Sequence, residues 1–226
     1  ALKDVSFTLS DGEVLGLVGA NGAGKSTCIR LLMDFIRPDK GEISLFGMSP
    51  ENPSIRRQIG YLPEIPSFPS NLSVLDMLRF TGATCHIPKP ALAEATEKWL
   101  RHLELWEARR RPLRAYSKGM KQRAGFALAL INDPELLILD EPMSGLDPIG
   151  RAKITALIQE LRKEGKSILF CSHILEDVDR LADTVLVLHN GEKLFHGRPS
   201  ELCIQERGES FVDAFLSLIQ EKEDYV

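Results

Sequence analysis

The run Gly19-Ala20-Asn21-Gly22-Ala23-Gly24-Lys25-Ser26-Thr27 spaces its glycines, a lysine and hydroxyls so that backbone amides and a cation converge on an anion. Gly22 and Gly24 lack a side chain, so the main chain can close around a β-phosphate. Lys25 reaches for β- and γ-oxygens, and the Ser26 hydroxyl suits Mg²⁺. The flanks agree with this chemistry. Val14-Leu15-Gly16-Leu17-Val18 is a short apolar run that predicts a buried strand. Cys28 to Ile36 carries apolar residues at helical spacing until Pro38 stops it. Strand, glycine loop and helix bring backbone N–H groups and the positive end of a helix dipole to one point. A nucleoside-triphosphate site is expected here.

A second stretch could complete that site. Leu136-Leu137-Ile138-Leu139 is apolar throughout and leads into Asp140-Glu141-Pro142. Two adjacent carboxylates beyond a buried strand are costly unless cations or hydrogen bonds meet them. A Mg²⁺-nucleotide on the same sheet edge would do so. Asp140 would then hold the metal through its water shell, and Glu141 would polarise the water attacking the γ-phosphate. His173 follows the apolar run Ser167 to Ser172 at the same expected edge, where it could hydrogen-bond a γ-phosphate oxygen. The other histidines (His86, His102, His189 and His196) have no such setting and read as surface residues. Tyr116-Ser117-Lys118-Gly119-Met120-Lys121-Gln122-Arg123 opens a helix with Ser, Lys and Gly, so it too could bind phosphate, although an ordinary capped helix has the same spacing.

The elements that position these groups alternate strand and helix. Val5 to Leu9 alternates in polarity and predicts a strand, Gly41 to Phe46 is another strand candidate ending at Gly47, and Ile59 to Leu62 adds a third. Pro66, Pro69 and Ser70-Asn71 form a breaker-rich linker. From Ser73 to about Asn132 the signals are nearly all helical: Ser73 caps Val74 to Phe80, Pro90 opens Ala91 to Leu105, and Ser117 caps Lys118 to Ile131. Asp147-Pro148 opens a helix ending at Gly165, and Asn190-Gly191 turns one strand back on another. Phe211, Phe215, Leu218 and Ile219 stripe a final helix. The pattern predicts an α/β protein with a mostly parallel sheet and ligands at its C-terminal edge.

Composition limits the alternatives. The 226 residues suffice for one large domain with a substantial core or two small lobes. A formal net charge of −4 argues against broad nucleic-acid binding. No apolar run is long enough to span a bilayer. Four cysteines are scattered without metal-like spacing, as free thiols in a reducing compartment would be.

These motifs together resemble the nucleotide-binding subunit of an ABC transporter over essentially the whole chain. The resemblance is carried, in the family's order, by Gly19 to Thr27, the Leu-Pro-Glu corner at Glu64, the signature-like Tyr116 to Met120, Leu136 to Pro142, the loop Ser144-Gly145-Leu146-Asp147-Pro148, and Ser172-His173. It implies a P-loop NTPase (RecA-like) core with a mostly parallel sheet, an N-terminal antiparallel β part and an inserted α-helical subdomain. The expected division of the single 1–226 cassette is 1–65 and 133–198 for the α/β core, 66–132 for the helical subdomain and 199–226 for a C-terminal helical tail. It implies that two such cassettes, most simply identical copies, pair head to tail around two ATP molecules, each held by one P-loop and the other chain's signature. Ser117, Lys118, Gly119 and Met120 would then act on the partner's ATP, Asp147 would cross the interface, and Glu64 would sense Mg²⁺ and the membrane partner. Catalysis would fall to Glu141, His173 and Lys25, and the metal to Ser26, Glu64 and Asp140. The implied setting is the cytoplasmic face of a membrane, held there by membrane-spanning subunits, with no nucleic acid.

This chain departs from the family's usual pattern in two places. A glutamine of the hinge is Glu64 here, which can still ligate Mg²⁺ but adds negative charge. The usual Leu-Ser-Gly-Gly-Gln is Tyr-Ser-Lys-Gly-Met, where Lys118 adds a cation against phosphate. Both variants are similar to those of the exporter branch for drugs, lipids, polysaccharides or ions. The family's adenine-stacking aromatic would lie before Ala1, and Phe7 reads as core, so the chain is expected to be a fragment or a trimmed subunit. Two rivals belong to other classes. A soluble ABC-type ATPase acting on ribosomes or DNA would carry two cassettes or a coiled coil, and a P-loop kinase would leave the Ser117 stretch and His173 without a purpose.

Overall fold

The computed structural model describes residues 2–223; Ala1 and residues 224–226 of the expected tail lie outside them. In chain order the elements are β1 (Val14–Val18), α1 (Lys25–Leu32), β2 (Ile59–Leu62), α2 (Val74–Thr84), α3 (Lys89–His102), α4 (Lys118–Leu130), β3 (Leu136–Asp140), α5 (Pro148–Lys163), β4 (Ser167–Cys171), α6 (Leu175–Leu181), β5 (Thr184–His189), β6 (Glu192–Gly197), α7 (Pro199–Glu206) and α8 (Phe211–Glu223). They form two compact units. The first joins the residues up to Asn52 with those from Thr155 onward, and the second is Pro53–Ile154.

In the first unit the strands run in the order β4-β1-β5-β6. The β1 strand pairs in parallel with β4, Leu17 opposite Cys171, and with β5, Val18 opposite Val187. Every residue of β1 and β4 is buried, which is why neither shows polar alternation. The β5 and β6 strands pair antiparallel through Asn190 and Gly191, whose φ angles of 48° and 82° make the two-residue turn that matches strand twist. In the second unit β2 and β3 pair in parallel, Leu62 opposite Leu139. The α4 helix is buried at Gln122, Ala124, Gly125, Phe126, Ala127, Ala129 and Leu130, so it presents little polar face. Burying each large apolar side chain of this kind contributes roughly 1.5–3 kcal/mol.

The helix starts follow the expected caps. Ser73 accepts from Asp76 N while its own N–H donates to the Asp76 carboxylate, a full capping box that holds that carboxyl below its ordinary value. Ser117 accepts from Met120 N at 3.2 Å, and Asp147 Oδ1 accepts from Gly150 N at 2.7 Å.

Several expectations are corrected. Val5 to Leu9 alternates between half-buried and exposed, yet neither it nor Gly41 to Phe46 is a strand among the described residues. The first is held instead by Lys3 N on Gly191 O at 2.7 Å and Lys193 Nζ on Ser6 O at 2.6 Å. The second collapses into a turn at Phe46-Gly47 with a single bridge between Leu45 and Met48. The antiparallel pairing of the first unit therefore lies at β5 and β6, not near the N-terminus.

The α1 helix ends at Leu32, short of Ile36. Asp34 turns left-handed at φ 55°, Phe35 N reaches back to Arg30 O at 2.8 Å, and Asp34 N reaches Leu31 O at 3.1 Å. That is a Schellman cap with aspartate in the glycine position, and α2 and α3 end the same way at His86 and Glu104.

The tail holds two helices, α7 and α8. Of the expected stripe Phe211 and Leu218 are buried and Phe215 and Ile219 half-buried, and Ala214 is buried beside them. His189 and His196 are half-buried, not surface residues.

None of the four cysteines is in a disulfide, and burial pushes the Cys28 thiol up to about 12, which keeps it protonated and inert. Among the described residues no helix is long and apolar enough to cross a membrane.

Candidate functional site

The first unit builds a glycine-lined loop between the end of β1 and the start of α1. The β1 strand delivers the chain at Val18, and Gly19 is buried directly after it. A Cβ on Gly19 would stand 2.3 Å from Leu188 O, a main-chain atom of the paired strand β5 that cannot yield. The loop is tied down at its other side, where Gly191 N donates to Ala23 O at 3.0 Å. Gly24 is the N-cap of α1 in a left-handed conformation, φ 113°, and offers no side-chain cap to the helix amides. Lys25 folds back across the loop, its Nζ donating to Gly19 O at 2.6 Å and Ala20 O at 3.1 Å. An ammonium, uncapped amides and a helix N-terminus thus face one place, and an anion with several oxygens fits them.

Ala20, Asn21, Gly22 and Ser26 are exposed, Thr27 is half-buried, and Ala23 is buried as the floor of the loop. The β1 and β4 strands are level at Leu17 and Cys171, so His173 emerges at the same strand-end edge as Gly19. His173 is exposed there, and the preceding Ser172 Oγ accepts from Ile174 N at 3.1 Å. The P-loop and His173 therefore share one edge of the first unit.

The second unit gathers the carboxylates. Asp140 closes β3 and is 9% exposed, behind four fully apolar, buried strand residues. Glu141 takes φ 49°, uncommon for a residue with a Cβ, and its carbonyl accepts from Ser144 N at 3.0 Å. Pro142 disfavours the right-handed helical region for the residue before it. Leu62 is level with Leu139, so Glu64, exposed, leaves β2 at the edge where Glu141 leaves β3.

The signature stretch is in the same unit. Tyr116 is buried and its hydroxyl donates to Ala108 O at 2.9 Å, while Ser117 and Lys118 are exposed. Met120 is half-buried, and Asp147 is exposed. The Lys118 side chain lies along the main chain of Gly145, its Cε 2.3 Å from where a Cβ would stand, and Gly119 similarly faces Leu146 at 3.3 Å.

Each unit by itself carries an oxygen that suits a hard cation, the exposed Ser26 hydroxyl in the first and the Asp140 carboxylate in the second. Among the described residues there is no group of three or more His, Cys, Asp or Glu that could cage a metal. Mg²⁺ needs no such cage, because it is usually held by one or two protein oxygens with phosphate and water.

One residue escaped the sequence reading. Gln122, 2% exposed, donates its Nε2 to Glu141 O at 3.3 Å and Pro142 O at 3.1 Å. It lies four residues after Lys118, on the same helix face, but its main-chain partners leave no mark in the sequence.

Comparison with known proteins agrees with this geometry. The ABC transporter family profile matches residues 2–144, more than half of the chain. A Nostoc sp. protein named an uncharacterized ABC transporter ATP-binding protein is 41% identical over 204 residues, 89% of this chain and 61% of that protein. The Nod factor export ATP-binding protein I of Ralstonia nicotianae is 34% identical over 213 residues, 93% of this chain and 66% of that protein. The chain thus spans about three fifths to two thirds of the length of these relatives. A solved ATP-binding subunit of an ABC transporter superposes with a TM-score of 0.90 at 32% identity, covering 96% of this chain and 92% of that one. A glycine-lined loop after β1, a carboxylate pair at the end of β3 and a profile match running through both make this chain a member of the ABC transporter family, an ATP-binding ABC ATPase domain.

Proposed function

We propose that the chain hydrolyses ATP as one of two head-to-tail cassettes, most simply identical, and that the cycle drives membrane-spanning partners at the cytoplasmic face in the direction of export. The observation that carries hydrolysis is the cradle itself, Lys25 held over Gly19 and Ala20 at an uncapped helix start. The Ralstonia relative's name supports export. Ile65 and Phe80, 74% and 65% exposed, give the second unit large apolar side chains for a membrane partner. The proposed cassette comprises the α/β core 1–65 and 133–198, the helical subdomain 66–132 and the tail 199–226.

In this reading residues Gly19 to Thr27 wrap the triphosphate and Lys25 pairs with its β- and γ-oxygens. Ser26, Asp140 and Glu64 would hold Mg²⁺, which supplies charge neutralisation at those oxygens. Glu141 takes the proton of the attacking water, and His173 hydrogen-bonds the γ-phosphate. Ser117, Lys118, Gly119 and Met120 grip the partner's nucleotide, and Asp147 crosses between the chains.

Closing the pair from mostly open to mostly closed needs about 5.5 kcal/mol of differential binding. Charge-assisted hydrogen bonds contribute about 1.5–3 kcal/mol each, so two per nucleotide suffice. Loss of the γ-phosphate removes them and reopens the pair.

The purified chain should release free phosphate from ATP, at a rate per chain that rises with protein concentration and stops on chelation of Mg²⁺. Phosphate transferred to a small acceptor with none released, or turnover that depends on ribosomes, would contradict the proposal.

A further inference from the structure

One face of α4 is pressed against the segment that follows β3. Lys118 lies along Gly145, Gly119 faces Leu146, and Gln122 donates to the carbonyls of Glu141 and Pro142. Residues 118 and 122 are one helical turn apart, so a single rigid face makes both contacts. The amide orientation of Gln122 is settled by chemistry, because two carbonyl oxygens can be met only by its NH₂ group. At 2% exposure that amide has little access to water, so these bonds are what satisfies it.

The corner it holds is an unusual one. Glu141 sits at φ 49°, a state that persists in a non-glycine residue only where its surroundings impose it. Ser144 N on Glu141 O closes the turn from one side and Gln122 from the other. The peptide group of Glu141 and Pro142 is thereby fixed, and with it the direction in which the Glu141 side chain leaves the backbone.

We infer that Gln122 is a positioning residue that sets the aim of Glu141 and ties it to the helix whose start is the signature. The inference rests on the reading of Glu141 as the base. In a head-to-tail pair, Glu141 acts on the chain's own nucleotide while Ser117 to Met120 grip the partner's. The contact of Gln122 therefore joins the two reaction centres within one chain, so that engagement of the signature bears on the carboxylate.

The test is a double-mutant cycle on steady-state hydrolysis. Gln122→Leu keeps size and removes both donors. It should lower kcat on the order of 10- to 100-fold, as expected for a reacting group displaced by a fraction of an ångström to an ångström, with KM for ATP changed less than about twofold. In a Glu141→Gln background the same change should lower kcat no further, since a positioning residue has nothing left to position. Gln122→Glu gives an independent readout. Its carboxylate cannot donate, but the protonated form can, so the ratio of its kcat to that of Gln122→Leu should rise as pH falls.

Equal losses from Gln122→Leu in both backgrounds, an unchanged kcat, or a ratio flat with pH would overturn the inference. If Glu141→Gln slows hydrolysis and Gln122→Leu does not, the inference alone fails. If Glu141→Gln turns over normally, the reading of Glu141 fails first and takes the inference with it.

Discussion

Glu141→Gln should reduce ATP turnover on the order of 10³-fold, within the range a positioned general base contributes, while leaving KM for ATP nearly unchanged. The substitution keeps the size of the side chain and removes its basicity. It also leaves the corner intact, because the bonds from Gln122 and Ser144 go to the main-chain carbonyl of residue 141 and not to its side chain. The loss therefore reports proton transfer and not a misfolded turn. A second consequence follows from the two-state cycle: with the γ-phosphate retained, the closed pair has no route to reopen. Size-exclusion chromatography with ATP and Mg²⁺ should show the variant as a dimer, where the unsubstituted protein returns to monomer as it hydrolyses. Turnover within a few-fold of normal would remove Glu141 from the mechanism.

Lys25→Ala should weaken ATP binding by about 10²- to 10⁴-fold, measured by calorimetry or nucleotide fluorescence. Two charge-assisted hydrogen bonds to phosphate oxygens are lost, at about 1.5–3 kcal/mol each, and 1.4 kcal/mol is tenfold in affinity. The fold itself should tolerate the change. Among the described residues the ammonium bonds Gly19 O and Ala20 O, both loop carbonyls, and the loop keeps its tie between Gly191 N and Ala23 O. Lys25→Arg should not restore binding, because a planar guanidinium cannot occupy the place of a compact ammonium inside a closed loop. Undiminished affinity in Lys25→Ala would mean that the cradle does not hold the phosphates.

The parts that a reader of the sequence can see are those decided locally. Four or five consecutive apolar residues at Val14 to Val18, Leu136 to Leu139 and Ile168 to Cys171 mark strands covered on both faces. Ser73, Ser117, Asp147 and the Asn190-Gly191 pair each fix one end or turn through their own hydrogen bonds or dihedral angles. The errors arise where long-range pairing decides. Val5 to Leu9 has the alternation of a strand but no ladder forms on it, so period alone cannot create one. The early end of α1 depends on Asp34 accepting a left-handed conformation that glycine more often supplies.

The site divides in the same way. Chemistry-bearing side chains are legible by type and spacing, as with Lys25 and the Asp140-Glu141 pair. Gln122 is not, because its value lies in two main-chain carbonyls about twenty residues away, and nothing in a sequence spacing marks a carbonyl as an acceptor.

The claim beneath the whole mechanism is that one chain holds half of each reaction centre. It is tested most directly by mixing two inactive variants, Lys25→Ala, which lacks the cradle, and Ser117→Arg, which blocks the signature, and assaying ATP hydrolysis. In a head-to-tail pair of unlike chains the intact P-loop of one faces the intact signature of the other, so one centre of the two is whole. An equal mixture should recover up to about a quarter of normal activity, since half of random pairs are mixed and each has one working centre. A mixture no more active than its separate components, or full activity from Ser117→Arg alone, would show that each chain works by itself.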